Sequence, residues 1–209
     1  KAINFALKNN SGGTENTAIG GCALELNTTA TSLTAVGFCA LRSNTTGHSN
    51  TAVGRSALIS NSSGIYNSAF GREALKSNTT GSNNSAVGFA ALCSNTTGID
   101  NVAIGWSSLI KSTTAQQNTA VGTMALACNT VGCDNVAIGS RAFCAGTTGG
   151  ENVAIGRSAL RATTTGSFNV AVGSQALTAN ITGRFNVAVG RESLKANTNA
   201  SGNTALGNA

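Results

Sequence analysis

Residues 84–105 read NSAVGFAALCSNTTGIDNVAIG, which is one complete repeat of the chain followed by the start of the next. An Ala-Val-Gly tripeptide ends at Gly88, and a matching Ala-Ile-Gly ends 17 residues later at Gly105. The same signature ends at twelve glycines, each 17 residues from the next: Gly20, Gly37, Gly54, Gly71, Gly88, Gly105, Gly122, Gly139, Gly156, Gly173, Gly190 and Gly207. We count positions in the repeat from this glycine, which is position 0. A short period without drift indicates a solenoid in which each repeat forms one coil.

The consensus of the repeat, written from position −4, is N-[T/V/S]-A-[V/I]-G-x-x-A-L-x-x-N-T-T-G-x-x. Ala fills position −2 in every copy, Asn fills position −4 except at Leu33, and Leu fills position +4 except at Phe143. Gly and Asn recur too often for a helix. The pattern therefore predicts two short β segments per coil, one at N-[T/V]-A-[V/I]-G and one around x-x-A-L-x-x, with Asn-Thr-Thr-Gly as a corner.

The fold class that follows is all-β, a parallel β-solenoid of twelve 17-residue coils forming a single domain over residues 1–209. Residues 1–15 are a partial N-terminal coil, residues 16–202 are eleven full coils, and residues 203–209 are a truncated last coil. Pro is absent, as expected where a parallel ladder needs every backbone N–H. Because the chain starts in register, we expect a segment of a longer chain or a protein whose ends stack onto neighbours.

Side-chain alternation in the first segment predicts contact between chains. Asn, Ala and Gly lie on one face and Val, Thr or Ile on the other, and neither face is charged in any copy. Alternate residues of a strand point to opposite faces, so both faces are expected to be buried. A single thin coil has only one interior. The second face is therefore expected to meet identical strands of partner chains in an oligomeric rod.

The repeat also resembles known families. Three strings, at residues 101–105, 135–139 and 152–156, read NVAIG and are similar to the S/N-V-A-I-G repeat of YadA-like trimeric adhesin heads. The fuller pattern resembles repeats in fibre proteins of phages and large viruses. This resemblance covers essentially the whole chain and implies a left-handed β-roll, three chains around one axis, and a role in surface attachment. Two departures are the longer period and the six cysteines.

Composition and motif content exclude several classes of function. Collagen needs Pro and a Gly at every third position, and no apolar run approaches the roughly 20 residues of a membrane span. The single histidine, His48, has no repeated acidic or nucleophilic partner, and the seven acids form no pair at fixed spacing. We therefore expect no catalytic residue, no cofactor, no metal site, no nucleic-acid partner and no membrane insertion.

The cysteines allow several pairings. Cys22 and Cys39 share position +2 of adjacent coils, which places them within disulfide range. Cys128 and Cys133 flank one corner, and Cys144 is an alternative partner for either. Cys93 has no obvious partner within the chain. Equally, isolated cysteines can simply fill small positions in the stack.

Sequons suggest a second kind of site, N-glycosylation. Six of them lie at position +7, which would place a ladder of glycans on one corner if the chain passes through a eukaryotic secretory pathway. Asn and Thr also suit this turn without any glycan. The candidate residues are Asn9, Asn27, Asn44, Asn61, Asn78, Asn83, Asn95, Asn180 and Asn199.

Basic residues concentrate at two positions of the repeat. The resulting stripe would face a polyanion or, in the plainer interpretation, keep an exposed surface soluble. We call these residues the basic stripe: Arg55, Arg72, Arg157 and Arg191 at position +1, and Lys8, Arg42, Lys76, Arg161 and Lys195 at position +5.

Together these observations predict an extracellular structural and adhesive fibre module, on a cell or virion surface, that attaches to a surface or host glycan. Its expected partner is itself, as a homotrimer or stacked filament. The alternative is a self-assembling, glycosylated filament with a purely mechanical role. An ice-binding solenoid is a more distant alternative, because the adjacent threonines fall in a turn rather than on one strand face.

Overall fold

A computed structural model describes residues 5–208; residues 1–4 and 209, in the predicted first and last coils, lie outside the described residues. The described chain has one three-residue strand in each coil, with turns and bends between strands. The strands are β1 (Thr17–Ile19), β2 (Thr34–Val36), β3 (Thr51–Val53), β4 (Ser68–Phe70), β5 (Ser85–Val87), β6 (Val102–Ile104), β7 (Thr119–Val121), β8 (Val136–Ile138), β9 (Val153–Ile155), β10 (Val170–Val172), β11 (Val187–Val189) and β12 (Thr204–Leu206).

These strands form a single parallel sheet in the order of the sequence, from β1 to β12. Each strand pairs with the next in strict register, so that Ala103 of β6 lies opposite Ala120 of β7. The alanines of β10 and β11, Ala171 and Ala188, are paired in the same way. The prediction of an all-β parallel solenoid with a 17-residue spacing is confirmed.

The prediction of a second β segment in each coil is wrong. Positions +1 to +6 form turns, because positions +2 and +4 have positive φ although they are not glycine. In the coil that begins with β6, φ is 53° at Ser107 and 49° at Leu109, whereas a strand needs strongly negative φ. These turns still stack from coil to coil, since the N–H of Leu109 donates to the carbonyl of Ala125 at 3.0 Å.

The core is a narrow column of small and medium side chains. Each coil places the alanine of its strand and the Leu at position +4 inside, as with Ala103 and Leu109, which are both fully buried. Most coils add an alanine at position +3, such as Ala125. The core therefore consists of the same few side chains repeated along the whole sheet.

Glycine at position 0 sets the spacing between coils. At Gly105, φ is +129°, a conformation that residues with a side chain rarely adopt. A Cβ on Gly105 would also lie 2.7 Å from the carbonyl carbon of Gly122 in the next coil. The glycine at position 0 therefore allows the backbones of successive coils of one chain to approach closely.

Candidate functional site

The outward side chains at the first and third residues of β1–β12 form a continuous surface, which we call the strand face. The middle residue of each strand is an alanine that points into the core. Third-position residues are exposed in eight strands, with Ile19 at 53%, Ile104 at 40% and Ile138 at 39%, and half-buried in the other four, β2, β3, β7 and β10. No charged residue occupies either outward position in any strand. Within one chain, only the alanine side of the sheet is buried, so the expected burial of the other side needs a partner.

Two columns of asparagines run inside the solenoid. In the first, at position −4, the backbone N–H and Nδ2 of Asn118 both donate to Oδ1 of Asn101, at 3.1 and 3.2 Å. The same Nδ2 donates to the carbonyl of Gly132 at 2.9 Å. Buried amides need such partners, because an unpaired polar group in the core is costly. The column therefore links each coil to its two neighbours.

The second column, at position +7, contains six of the predicted glycosylation sites. Nδ2 of Asn61 donates to Oδ1 of Asn44 at 2.8 Å and to the carbonyl of Gly64 at 3.0 Å. An N-linked sugar would be attached to this same buried nitrogen, for which the folded coil has no space. The prediction of glycans at this corner is therefore wrong for the six fully buried side chains of Asn27, Asn44, Asn61, Asn78, Asn95 and Asn180.

The other three sequon asparagines, Asn9, Asn83 and Asn199, are exposed. Asn83 lies on a turn just before the strand β5, and Asn199 accepts a hydrogen bond from the hydroxyl of Thr182 at 3.0 Å. Glycosylation of these three residues stays a prediction.

Five members of the basic stripe are held in ion pairs. Arg42 donates from Nε to Glu25 at 2.9 Å, and this hydrogen bond lowers the pKa of the Glu25 carboxyl. Glu73 pairs with both Arg72 and Lys76, at 3.2 and 3.7 Å. The same arrangement recurs at Glu192, which lies 3.2 Å from each of Arg191 and Lys195. Hydrogen bonding from Lys195 lowers the pKa of Glu192.

Among residues 5–208, the remaining four members of the stripe make no ion pair within 4.0 Å: Lys8, Arg55, Arg157 and Arg161. Arg157 and Arg161 are close to Arg141, and the three line a polar groove of about 240 Å³. Sequence reasoning missed Arg141 because it lies at position +2, outside the two positions where basic residues recur. The positive charge of the basic stripe is therefore largely neutralised where Glu25, Glu73 and Glu192 pair with it. It is concentrated at the polar groove, where the arginines have no acidic partner among the described residues.

The cysteines are all thiols in the structure. The Cys22 and Cys39 side chains are neighbours, and burial, followed by the proximity of Cys22, raises the pKa of the Cys39 thiol. Cys128 and Cys144 line one groove, and burial raises the pKa of Cys144. Burial likewise raises the pKa of Cys93. Every pairing considered above stays a prediction.

Cys133 is held differently from the other cysteines near this corner. Its sulfur accepts a hydrogen bond from the N–H of Gln116 and donates to the carbonyl of Val131, both at 3.4 Å. Cys133 is not among the residues that line the groove between Cys128 and Cys144. Of the two partners considered for Cys128, Cys144 is therefore the one that shares its surface.

Stacked aromatic pairs on the surface were not singled out by sequence reasoning. The rings of Phe168 and Phe185 stack at 4.9 Å, and those of Phe89 and Trp106 stack at 6.3 Å. Each pair occupies one repeat position in adjacent coils, which is the signal that would have revealed it. All four rings are 40–60% exposed.

Residues 5–208 contain no cluster of three or more His, Cys, Asp or Glu side chains arranged to hold a metal ion. The same residues contain no helix long and apolar enough to cross a membrane.

Comparison with known proteins gave no match to this chain among family models, curated proteins or solved structures.

Proposed function

We propose that this chain is a non-catalytic structural and adhesive fibre module of a cell or virion surface, and that three copies assemble through their strand faces. The observation that carries the proposal is the strand face itself, which is uncharged along all twelve strands and has its third-position residues exposed in eight of them. The third-position row is apolar in every strand, and contiguous apolar surface of this kind marks interaction sites in soluble proteins.

The partner that best fits the strand face is a second copy of the chain. The outward side chains of the strand face recur in every coil, about 4.8 Å apart, over a length of about 53 Å. A partner must present apolar rows at the same spacing to stay in register over this length. Another copy does so by construction, since its strands have the same 17-residue offset.

The three-chain arrangement and left-handed winding belong to the proposal through the resemblance to YadA-like adhesin heads. A rod assembled in this way leaves the turns at positions +1 to +6 on its outside, where exposed side chains vary from coil to coil. Variable side chains on a regular scaffold are suited to surface attachment. A purely mechanical filament would share this assembly and lack a ligand, so binding assays separate the two.

Ice binding is less well supported by the strand face. Thr17, Thr34 and Thr51 begin a row of hydroxyls at the first strand position, but from Val102 onward most strands have valine there. The row is therefore not a regular threonine array.

The test compares charge on the strand face with charge beside it. Val121→Lys with Ile138→Lys places two lysines on adjacent strands of the face. The matched control, Thr123→Lys with Ser140→Lys, places two lysines on the same coils at position +1, where other coils have Arg. Light scattering after size exclusion is expected to show an oligomer for the wild type and the control. The face variant is expected to be a folded monomer. Equal masses for both variants would contradict the proposal.

A further inference from the structure

In coils that have basic residues at both positions +1 and +5, the residue at position +2 decides whether the two charges are neutralised. Where it is Glu73, one carboxylate bridges Arg72 at position +1 and Lys76 at position +5. The coil that follows β9 has the same basic pair, Arg157 and Arg161, but Ser158 stands between them. That coil therefore has two guanidinium groups where a matched coil has a compensated cluster.

Neighbouring coils add to this charge. The preceding coil contributes Arg141 at position +2, the next contributes Gln175 and Thr178, and the one after that contributes Lys195, so that the polar groove lies between the +2 and +5 columns. Thr178 donates its hydroxyl proton to the carbonyl of Ser158 at 3.1 Å, which fixes the floor of the groove. Its charged donors are the three guanidinium groups, which are exposed at its rim, and the ammonium group of Lys195, which already pairs with Glu192.

A second groove adjoins the first and shares Arg141 and Arg161 with it. It measures about 390 Å³ and is mainly apolar, lined by Cys128, Cys144, Ala145 and Ala162. Cationic donors beside an apolar surface suit a ligand that combines oxyanions with ring carbons, as a sulfated sugar does. A simple inorganic anion would use only the polar part.

We propose that Arg141, Arg157 and Arg161 bind the sulfate esters of a glycan, with a sugar ring lying in the adjoining apolar groove. The planar guanidinium group donates two parallel hydrogen bonds to an oxyanion, which makes Arg well suited to this role. Nucleic acid fits less well, because single-strand binding relies on stacking against aromatic rings and neither groove has one in its lining. This site deepens the attachment role proposed above and gives it a ligand class.

The experiment titrates the chain, by calorimetry, with a fully sulfated heparin-derived hexasaccharide, its desulfated counterpart and a single-stranded DNA oligonucleotide of equal charge. Binding of the sulfated sugar alone is expected, with an affinity that falls as salt rises. Equal binding of the desulfated sugar or of the DNA would overturn the proposed ligand class.

Three variants locate the site. Arg157→Gln with Arg161→Gln is expected to weaken binding at least tenfold. Ser158→Glu, which copies the coil of Glu73, is expected to do the same without removing an arginine. The matched control, Arg72→Gln with Lys76→Gln, removes the same charge at the same repeat positions and is expected to stay within twofold of wild type. An equal loss in the control would show a general effect of charge and overturn the site.

Light scattering on each sample shows whether the chain is oligomeric, so that failure of the binding site and failure of the trimer can be told apart. A monomer that binds the sulfated hexasaccharide contradicts the trimer and supports the site. An oligomer that fails to bind it contradicts the site and leaves the assembly intact.

Discussion

The ring of Phe143 fills the space that the missing side chain at Gly146 would need. A Cβ on Gly146 would lie 2.5 Å from Cε2 of Phe143, well inside contact distance. Phe143 stands where every other full coil has leucine, and Gly146 stands where most coils have a buried asparagine. These two departures from the repeat are therefore one packing arrangement, in which a larger ring replaces part of the asparagine column.

The coupling between these positions is testable by a double-mutant cycle. Gly146→Asn alone overpacks the coil and Phe143→Leu alone leaves a space, so each should destabilise the fold by about 1–3 kcal/mol. Combining them restores the consensus, so the double variant should be at least about 1 kcal/mol more stable than the sum of the single changes implies. Urea unfolding at fixed protein concentration measures this, and additive effects would contradict the arrangement.

A second break in the asparagine column leaves two atoms without partners. Oδ1 of Asn95 and Oγ of Ser112 are buried without a hydrogen bond in the part of the chain that the structure describes. Ser112→Asn would supply an Nδ2 to both Asn95 and the carbonyl of Ala115, as Asn61 does in its own coil. We expect a gain of about 1–2 kcal/mol in the free energy of unfolding.

The control for this change is Ser112→Ala, which removes one unpartnered atom and leaves Asn95 as it is. Its stability should stay close to that of the wild type. If Ser112→Asn is no more stable than Ser112→Ala, the column is not repaired by restoring the amide.

The 17-residue period and its recurring Ala-[V/I]-Gly signature were sufficient to predict the coil length and the position of the strand. The turns were missed because Ser107 and Leu109 adopt positive φ without the glycine that usually signals it. The direction of Asn61 was missed because the same Asn-x-Ser/Thr pattern describes both an exposed turn and a buried ladder. Of the candidate binding site, Arg157 and Arg161 were found from their repeat positions. Arg141 was not, and the two grooves combine side chains from five successive coils, which come together only in the folded chain.

Positive φ at a residue with a side chain is expected to cost stability. Gln117 is exposed with φ at 56°, whereas its neighbour Gln116 is exposed with an ordinary backbone conformation. Both changes to glycine alter the unfolded chain similarly, so their difference isolates the native backbone. We expect Gln117→Gly to be more stable than Gln116→Gly by about 1–2 kcal/mol in thermal or urea unfolding. Equal stabilities would mean that the conformation at Gln117 carries no such cost.

The stacked cysteines predict a specific response to oxidation. With oxidised glutathione, we expect Cys22 and Cys39 to form a bridge that closes a loop of 17 residues and stabilises the fold by about 3 kcal/mol. Because burial raises the pKa of the Cys39 thiol, its alkylation in the reduced chain should be slow at neutral pH and faster as the pH rises. Peptide mapping by mass spectrometry measures both.

Cys39→Ser is the control for the bridge. It should abolish the stabilisation and leave Cys22 open to alkylation under the same oxidising conditions. A bridge from Cys22 to any other cysteine in the wild type would contradict the predicted pairing.

The central claim is that the strand faces of identical chains pack against one another. Sedimentation equilibrium of the unmodified chain, over a wide range of concentrations, tests it most directly. We expect a stable species of three times the 20.7 kDa chain mass. A folded species of 20.7 kDa at every concentration would contradict it.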